Sequence, residues 1–264
     1  VAELEIPKVL PFNLSASAFD LYLKCPEKFR RRHIEGEREA FGPPALLGSA
    51  FHAAEGENFQ QKIETAEDLD EADVLDVYSD EFDERTENDD IDWGSEKQGD
   101  VKDVGVKLVS LYHSTLAPLR MPTHVERRYE LRFPDVEWLF TGYIDLETDE
   151  GECVDYKTRS SRMNAAAAKS ETQPRANLLA RRAEGNPATF SFDTLVKNKT
   201  PVVDTIPVPV TDRELDQFVT RIMGVAAEIA WRMEYDQWQG AVPGAWWCSE
   251  KWCGFWADCP MGGG

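Results

Sequence analysis

The sequence predicts an α/β fold, a central mixed sheet flanked by helices. Three observations predict it. Residues 125–133, 137–147 and 152–158 are rich in Val, Tyr, Phe, Trp and Ile and are separated by turn residues, the pattern of a β-meander. Helical periodicity occupies the segments on either side of that meander. Residues 188–196 and 201–210 then add a strand pair ahead of a long amphipathic helix over 212–238. With 264 residues, 42% of them apolar and 11% aromatic, the chain can bury a substantial core.

The elements follow in order. Ser15 or Ser17 can cap a helix over 15–33, in which Phe19, Tyr22 and Leu23 form an apolar stripe and Pro26 predicts a break and restart. Residues 45–62 form a second helix, with Leu47, Phe51 and Ala54 on one face. The next stretch, 64–103, holds eighteen Asp or Glu against three Lys or Arg. Its apolar anchors Leu69, Val74, Val77 and Phe82 predict helices rather than disorder, and 104–118 is another short helix. Beyond the meander, Pro174 in the first turn and Gly185 past the end frame a helix over 174–184. Thr211 and Glu214 form a capping box for 212–238, along which Leu215, Phe218, Ile222, Ala226 and Ile229 recur at helical spacing. The expected organisation is a single domain over 1–264: N-terminal helices in 1–62, an acidic insertion in 63–103, a core in 104–238 and a Cys/Trp-rich tail in 239–264.

A net charge of −20 argues against nucleic acid, because phosphate repels an acidic surface. The distribution softens the objection: most of the excess lies in 64–103, and a basic cleft elsewhere is compatible with it. No run approaches the ~18 apolar residues needed to cross a bilayer, so no membrane partner is expected. No leader pattern is visible from Val1, and an intracellular location is expected. Five cysteines, at 25, 153, 248, 253 and 259, are an odd count that fits a secreted disulfide scaffold poorly.

The informative segment runs from Gly142-Tyr-Ile-Asp145 through Asp149-Glu-Gly151 to Val154-Asp155-Tyr-Lys157. A three-residue loop with glycine last suits a hairpin closed by Thr148 and Glu152. That register sets Asp145 opposite Asp155 and puts Lys157 on the Asp155 face. Opposed carboxylates destabilise a strand pair unless a cation sits between them, and hard oxygen ligands favour Mg²⁺ or Mn²⁺. A lysine two residues on can hold or deprotonate a water that attacks phosphorus. A hairpin with its charges simply facing water has the same spacing.

These residues, Gly-Tyr-Ile-Asp145 and Val-Asp155-Tyr-Lys157-Thr, resemble the PD-(D/E)XK nuclease signature. Three further features are similar to its RecB-like exonuclease branch, which includes CRISPR-associated exonucleases with an iron–sulfur cluster. They are Leu14-Ser-Ala-Ser-Ala-Phe19 leading into Cys25-Pro26, then Leu47-Gly48-Ser-Ala-Phe-His52, and Cys248-x4-Cys253-x5-Cys259-Pro260. The resemblance implies a restriction-endonuclease-like core and a metal-dependent DNA exonuclease acting on single-stranded or frayed DNA. It implies that Asp145, Asp155, His52 and the backbone carbonyl of Tyr156 bind the metal and that Lys157 is the catalytic lysine. Partners in recombination, repair or CRISPR-type processing are implied in the same way. Gln173 matches the first residue of a Gln-x-x-x-Tyr motif, but Asn177 stands where the tyrosine belongs.

The resemblance also implies a 4Fe–4S cluster on Cys25, Cys248, Cys253 and Cys259. Four thiolates satisfy such a cluster, and Cys25-Pro26 and Cys259-Pro260 echo ferredoxin-type sites. Zinc, and free thiols or disulfides, are the alternatives, although zinc knuckles use tighter spacing. Cys153 reads as a small core residue. Trp246, Trp247, Trp252 and Trp256 interleave the tail cysteines and are expected to shield a cluster. Arg30 and Arg31 in the first basic run, Arg159 after the hairpin, Arg175 on the Gln173 helix, and Lys197 with Lys199 are candidates to contact a DNA backbone. Two other readings remain: a non-catalytic nuclease-fold subunit that binds DNA, and a partner protein whose acidic insertion mimics DNA.

Overall fold

The computed structural model describes residues 6–198 and 200–260. Along the chain run β1 (Leu14–Ser15), α1 (Ala16–Lys24), α2 (Pro26–Phe29), a π-helical turn (Arg30–Ile34), α3 (Pro43–Thr65), α4 (Glu71–Asn88) and α5 (Gln98–Thr115). A 3-10 turn (Ala117–Leu119), β2 (Pro122–Arg132), β3 (Leu139–Thr148), β4 (Glu152–Arg159), α6 (Ala165–Ser170) and α7 (Gln173–Ala183) follow, then β5 (Thr189–Val196), β6 (Val202–Pro207) and α8 (Asp212–Tyr235). The chain divides into two compact units. One comprises Val1–Glu39, Glu130–Gly142 and Thr211–Gly264; the other comprises Ala40–Tyr129 and Tyr143–Val210. Among the described residues no helix is long and apolar enough to cross a membrane.

In the first unit, β1 pairs in parallel with the start of β3, Leu14 with Phe140 and Ser15 with Thr141. The Ser15 hydroxyl caps α1 by accepting from the Ala18 N–H at 3.1 Å. The predicted break falls at Cys25, which is extended, ends α1 and starts α2. Its Sγ accepts from the Lys28 N–H at 3.4 Å, and Pro26 sits where a missing N–H costs nothing. The capping box at Thr211 and Glu214 opens α8 as the sequence predicts. Its Phe218 meets Phe19 at 5.6 Å and Phe140 at 5.8 Å, both edge to face. Burying each such ring contributes roughly 1.5–3 kcal/mol. Arg232 is buried on the same helix, where its Nε donates to the Tyr22 hydroxyl at 2.7 Å and Nη1 to the Gln237 carbonyl at 2.7 Å.

In the second unit the strands form a mixed sheet. β3 and β4 pair antiparallel, β4 and β5 parallel, β5 and β6 antiparallel, and β2 pairs with β3. Helices α3, α4 and α5 close over it around Leu47, Phe51, Phe59, Leu108 and Tyr112, with Leu146, Val154, Tyr156 and Leu195 from the sheet. The acidic stretch is helical, as its apolar anchors predict. Val74, Tyr78 and Phe82 recur every four residues on α4 and are fully buried, which leaves the carboxylates to the solvent face. Buried Asp193 is satisfied by Arg120 Nη2 at 2.6 Å, the Tyr112 hydroxyl at 2.9 Å and the Thr205 hydroxyl at 2.6 Å. β1 and α6 are too short to leave a periodic pattern, and the sequence does not predict them.

Candidate active site

The hairpin forms in the predicted register. Gly151 takes the left-handed conformation, with φ of 76°. Leu146 pairs with Val154 and Glu147 with Cys153. There the ladder ends, one position before Asp145 would face Asp155. Instead the Tyr156 N–H donates to the Asp145 carboxylate, Oδ2, at 3.1 Å. Like charges opposed across a strand pair repel, so the backbones part where the acids meet. Along β4, Val154 and Tyr156 face the core under α3 and α5. Alternation sends Asp155 and Lys157 to the other face, where Lys157 Nζ lies 2.7 Å from Asp155 Oδ2 and 5.6 Å from the Phe192 ring centre.

His52 reaches the same end of the hairpin from α3. Its Nδ1 lies 3.6 Å from Asp145 Oδ2, and its ring meets Tyr156 edge to face at 5.3 Å. Gly48, one turn earlier, faces β4, where a Cβ would stand 3.4 Å from the Thr158 hydroxyl. An open cleft of about 510 Å³ runs beside them, lined by Ser49, His52, Glu126, Lys157 and Thr158 among others.

Burial, and then the Asp155 charge, push the Asp145 carboxyl above the ordinary range, while His52 and Lys157 pull it down. For Lys157, burial favours the neutral amine, but Asp155 and Asp145 outweigh it and hold the group as an ammonium. The two carboxylates therefore carry more negative charge than the lysine alone offsets. Two hard oxygen donors with an imidazole suit Mg²⁺ or Mn²⁺. Among the described residues no three His, Cys, Asp or Glu side chains are grouped closely enough to hold a metal as they stand; the donors approach in pairs. Two acids here leave no periodic or motif signal. Glu126 on β2 has φ of 45° and lines the cleft. Glu55, one turn beyond His52, is fully buried, and burial raises its carboxyl to about 8.

The remaining expected site residues are differently placed. Gln173 opens α7 and is half-buried; its Oε1 has no hydrogen-bond partner and it does not line the cleft. Asn177, four residues on, is buried with Nδ2 unpartnered. Arg159 faces Glu171 at 3.7 Å, and Arg175 donates to the Glu171 and Lys169 carbonyls at 2.9 and 2.8 Å. Arg30 pairs with Glu27 and Glu35. Arg31 is buried between Glu37 and Asp258 beneath Phe255, so these two guanidiniums are taken up within the fold. Lys199 lies outside the described residues.

No disulfide joins the cysteines among the described residues. Cys25, Cys248, Cys253 and Cys259 share the first unit; burial raises the Cys25 thiol, the Lys28 N–H pulls it down, and the other three cysteines add smaller upward contributions. They are thus neighbours, but no three of them form a closed metal-binding group among the described residues. Cys153 is buried in the other unit, as a core residue should be, and burial pushes its thiol up to about 12.

Sequence comparison with the curated proteins gives no match. The crystal structure of a candidate exonuclease from Eubacterium rectale aligns at a TM-score of 0.59 and 11% identity, over 87% of this chain and 84% of that one. The crystal structure of SSO0001 aligns at a TM-score of 0.40 and 12% identity, over 96% and 87%, too low to argue from. The first likeness speaks for the fold. The profile of the PD-(D/E)XK nuclease superfamily matches residues 13–260, nearly the whole chain and the whole hairpin with it, and the chain belongs to that superfamily.

Proposed function

We propose that the protein is a metal-dependent DNA exonuclease of the RecB-like branch, acting on single-stranded or frayed ends in recombination, repair or CRISPR-type DNA processing. The observation that carries the reading is the meeting of Asp145, Asp155, Lys157 and His52 beside an open cleft. Asp145, Asp155, His52 and the Tyr156 carbonyl would hold Mg²⁺ or Mn²⁺. Such an ion, when bound, supplies Lewis acidity toward a phosphoryl oxygen.

Asp155 and Asp145 favour the ammonium form of Lys157, and in that form it donates. It holds the oxygen of the attacking water and offsets charge that builds on the phosphoryl oxygens. Asp155 keeps the ammonium charged and aimed, and the Tyr156 N–H fixes the Asp145 carboxylate. Arg159 and Lys197, joined by the bond from the Lys197 N–H to the Arg159 carbonyl at 2.9 Å, offer cations beyond the hairpin for the sugar–phosphate backbone. In the other unit, Cys25, Cys248, Cys253 and Cys259 would hold a 4Fe–4S cluster that ties residues far apart in sequence.

The test uses anaerobically purified protein and single-stranded DNA labelled at either end, with Mg²⁺ or Mn²⁺. Metal-dependent shortening from one label, lost in Lys157→Ala, is the expected result. DNA binding without cleavage would replace this reading with the non-catalytic subunit. Iron and acid-labile sulfide in equal amounts, lost in Cys259→Ser, are expected for the cluster. Zinc, or no metal, would remove it.

A further inference from the structure

We propose that Trp246 and Trp252, flanked by Lys24 and Lys251, form a platform on which bases of single-stranded DNA stack. The inference rests on the nuclease reading for its ligand class and adds a contact surface in the cysteine-rich tail. Large aromatic rings are usually well buried. Here Trp246 is 66% exposed and Trp252 is 53% exposed. Their rings meet edge to face at 5.3 Å, and Trp247 meets Trp246 in the same way at 5.7 Å. An edge-to-face contact covers one face of one of its two rings and leaves the remaining exposed ring surface open to a further partner. Trp247 and Trp256 are half-buried, whereas Trp246 and Trp252 stand open to solvent.

The rings are held in place. The Cys248 N–H donates to the Ala245 carbonyl at 3.0 Å, and the Trp252 and Cys253 N–H groups to the Ser249 carbonyl at 3.0 and 2.9 Å. The Ser249 hydroxyl donates to the Trp246 carbonyl at 3.0 Å. Binding on such a frame orders little that is not ordered already.

The charges suit a nucleic-acid strand. Lys251 Nζ lies 5.0 Å from the Trp252 ring centre. The Trp247 indole N–H donates to the Lys24 carbonyl at 3.4 Å, which seats Lys24 beside the aromatic group. Lys24 and Lys251 are exposed, and neither has an ion-pair partner among the described residues. Exposed Glu250 opposes them, whereas Asp258 is held by Arg31. Exposed aromatic faces with adjacent ammonium groups match unstacked bases and their phosphates. A duplex hides its base faces, so the platform favours single strands.

The test is fluorescence anisotropy of labelled oligo(dT) and a blunt duplex of equal length, at low salt in EDTA, with the iron content of every variant checked. Trp246→Ala and Trp252→Ala are each expected to weaken oligo(dT) binding roughly fivefold to a hundredfold and to leave duplex binding unchanged. Trp→Phe at either site is expected to restore most of the affinity. Unchanged oligo(dT) affinity in the double alanine variant, or equal losses for both DNAs, would overturn the proposal. So would intact DNA binding with loss of adsorption to anionic phosphatidylglycerol vesicles, which would assign the patch to a lipid surface. For wild-type protein, photocrosslinking of iodouracil-substituted strands is expected to map to Trp246 or Trp252; crosslinks confined elsewhere would refute the platform even if the variants misfold. Cleavage that depends on Lys157 tests the nuclease reading separately.

Discussion

The Tyr156 N–H donates to Asp145 Oδ2 at 3.1 Å, at the position where the β3–β4 ladder stops. A carboxylate that terminates a ladder has both a structural and an electrostatic part, and two substitutions separate them. Asp145→Asn keeps an oxygen for the N–H and removes the charge that Asp155 repels. Its stability in urea is expected to equal or exceed wild type, while Mn²⁺ binding and cleavage are lost. Asp145→Ala also removes the acceptor and is expected to cost about 1–2 kcal/mol more. Cleavage by the asparagine variant at wild-type rate would remove Asp145 from the chemistry.

That relationship also marks how far sequence reasoning reaches. Thr148, Gly151 and Glu152 are local, and strand alternation has a period of two, so the register at Leu146 and Val154 follows from loop length alone. The departure at Asp145 depends on how two charges share a buried space, which spacing does not express. His52 was legible as a helix residue beside Gly48, and by resemblance as a ligand. In the sequence the run from Arg30 to Arg32 reads as one basic surface. Arg31 turns inward because Asp258, 227 residues away, meets it at 2.7 Å. No local pattern carries a partner at that distance.

Glu55 predicts a pH dependence of stability. The residue is fully buried, Oε2 accepts only a long bond from Asn58 Nδ2 at 3.4 Å, and Oε1 has no partner. Burial raises its carboxyl from 4.5 to about 8. Between those values the folded chain keeps a proton that the unfolded chain has released, so stability falls as pH rises and the penalty is complete above the folded value. Glu55→Gln cannot ionise. It is expected to match wild type near the acid end of the window and to exceed it by a few kcal/mol above pH 8 or so. Parallel urea-denaturation profiles for the two proteins across the window would refute the burial argument.

Gly105 predicts how the acidic helix is anchored. A Cβ at this position on α5 would stand 1.7 Å from the Tyr78 hydroxyl and 2.2 Å from its Cζ. Tyr78 is fully buried, so its ring cannot swing into solvent. Gly105→Ala is therefore expected to lower stability by about 1–3 kcal/mol, despite alanine's better helix propensity. On a Tyr78→Ala background the same change should cost almost nothing, because the clash is gone. Additive losses in thermal melts of the double variant would show that the packing of α4 on α5 is not what the glycine serves.

Glu126 makes the last prediction. It lies within β2 with φ of 45°, a conformation a non-glycine residue adopts at a cost of roughly 1–2 kcal/mol. Its side chain is exposed at the cleft that His52 and Lys157 line. Backbone strain of this kind persists where the surrounding fold enforces it, and such residues cluster at functional sites. A carboxylate aimed at a phosphate site is unfavourable for binding unless it contributes to the reaction. Glu126→Gln is expected to leave stability within about 0.5 kcal/mol of wild type, to lower kcat and to leave KM for DNA equal or lower. Glu126→Gly is expected to relieve the strain and to raise stability by up to about 1 kcal/mol, with the same loss of kcat. A lower KM with kcat intact in both variants would show that Glu126 only repels phosphate, and the strain would then be a property of the strand rather than of the site.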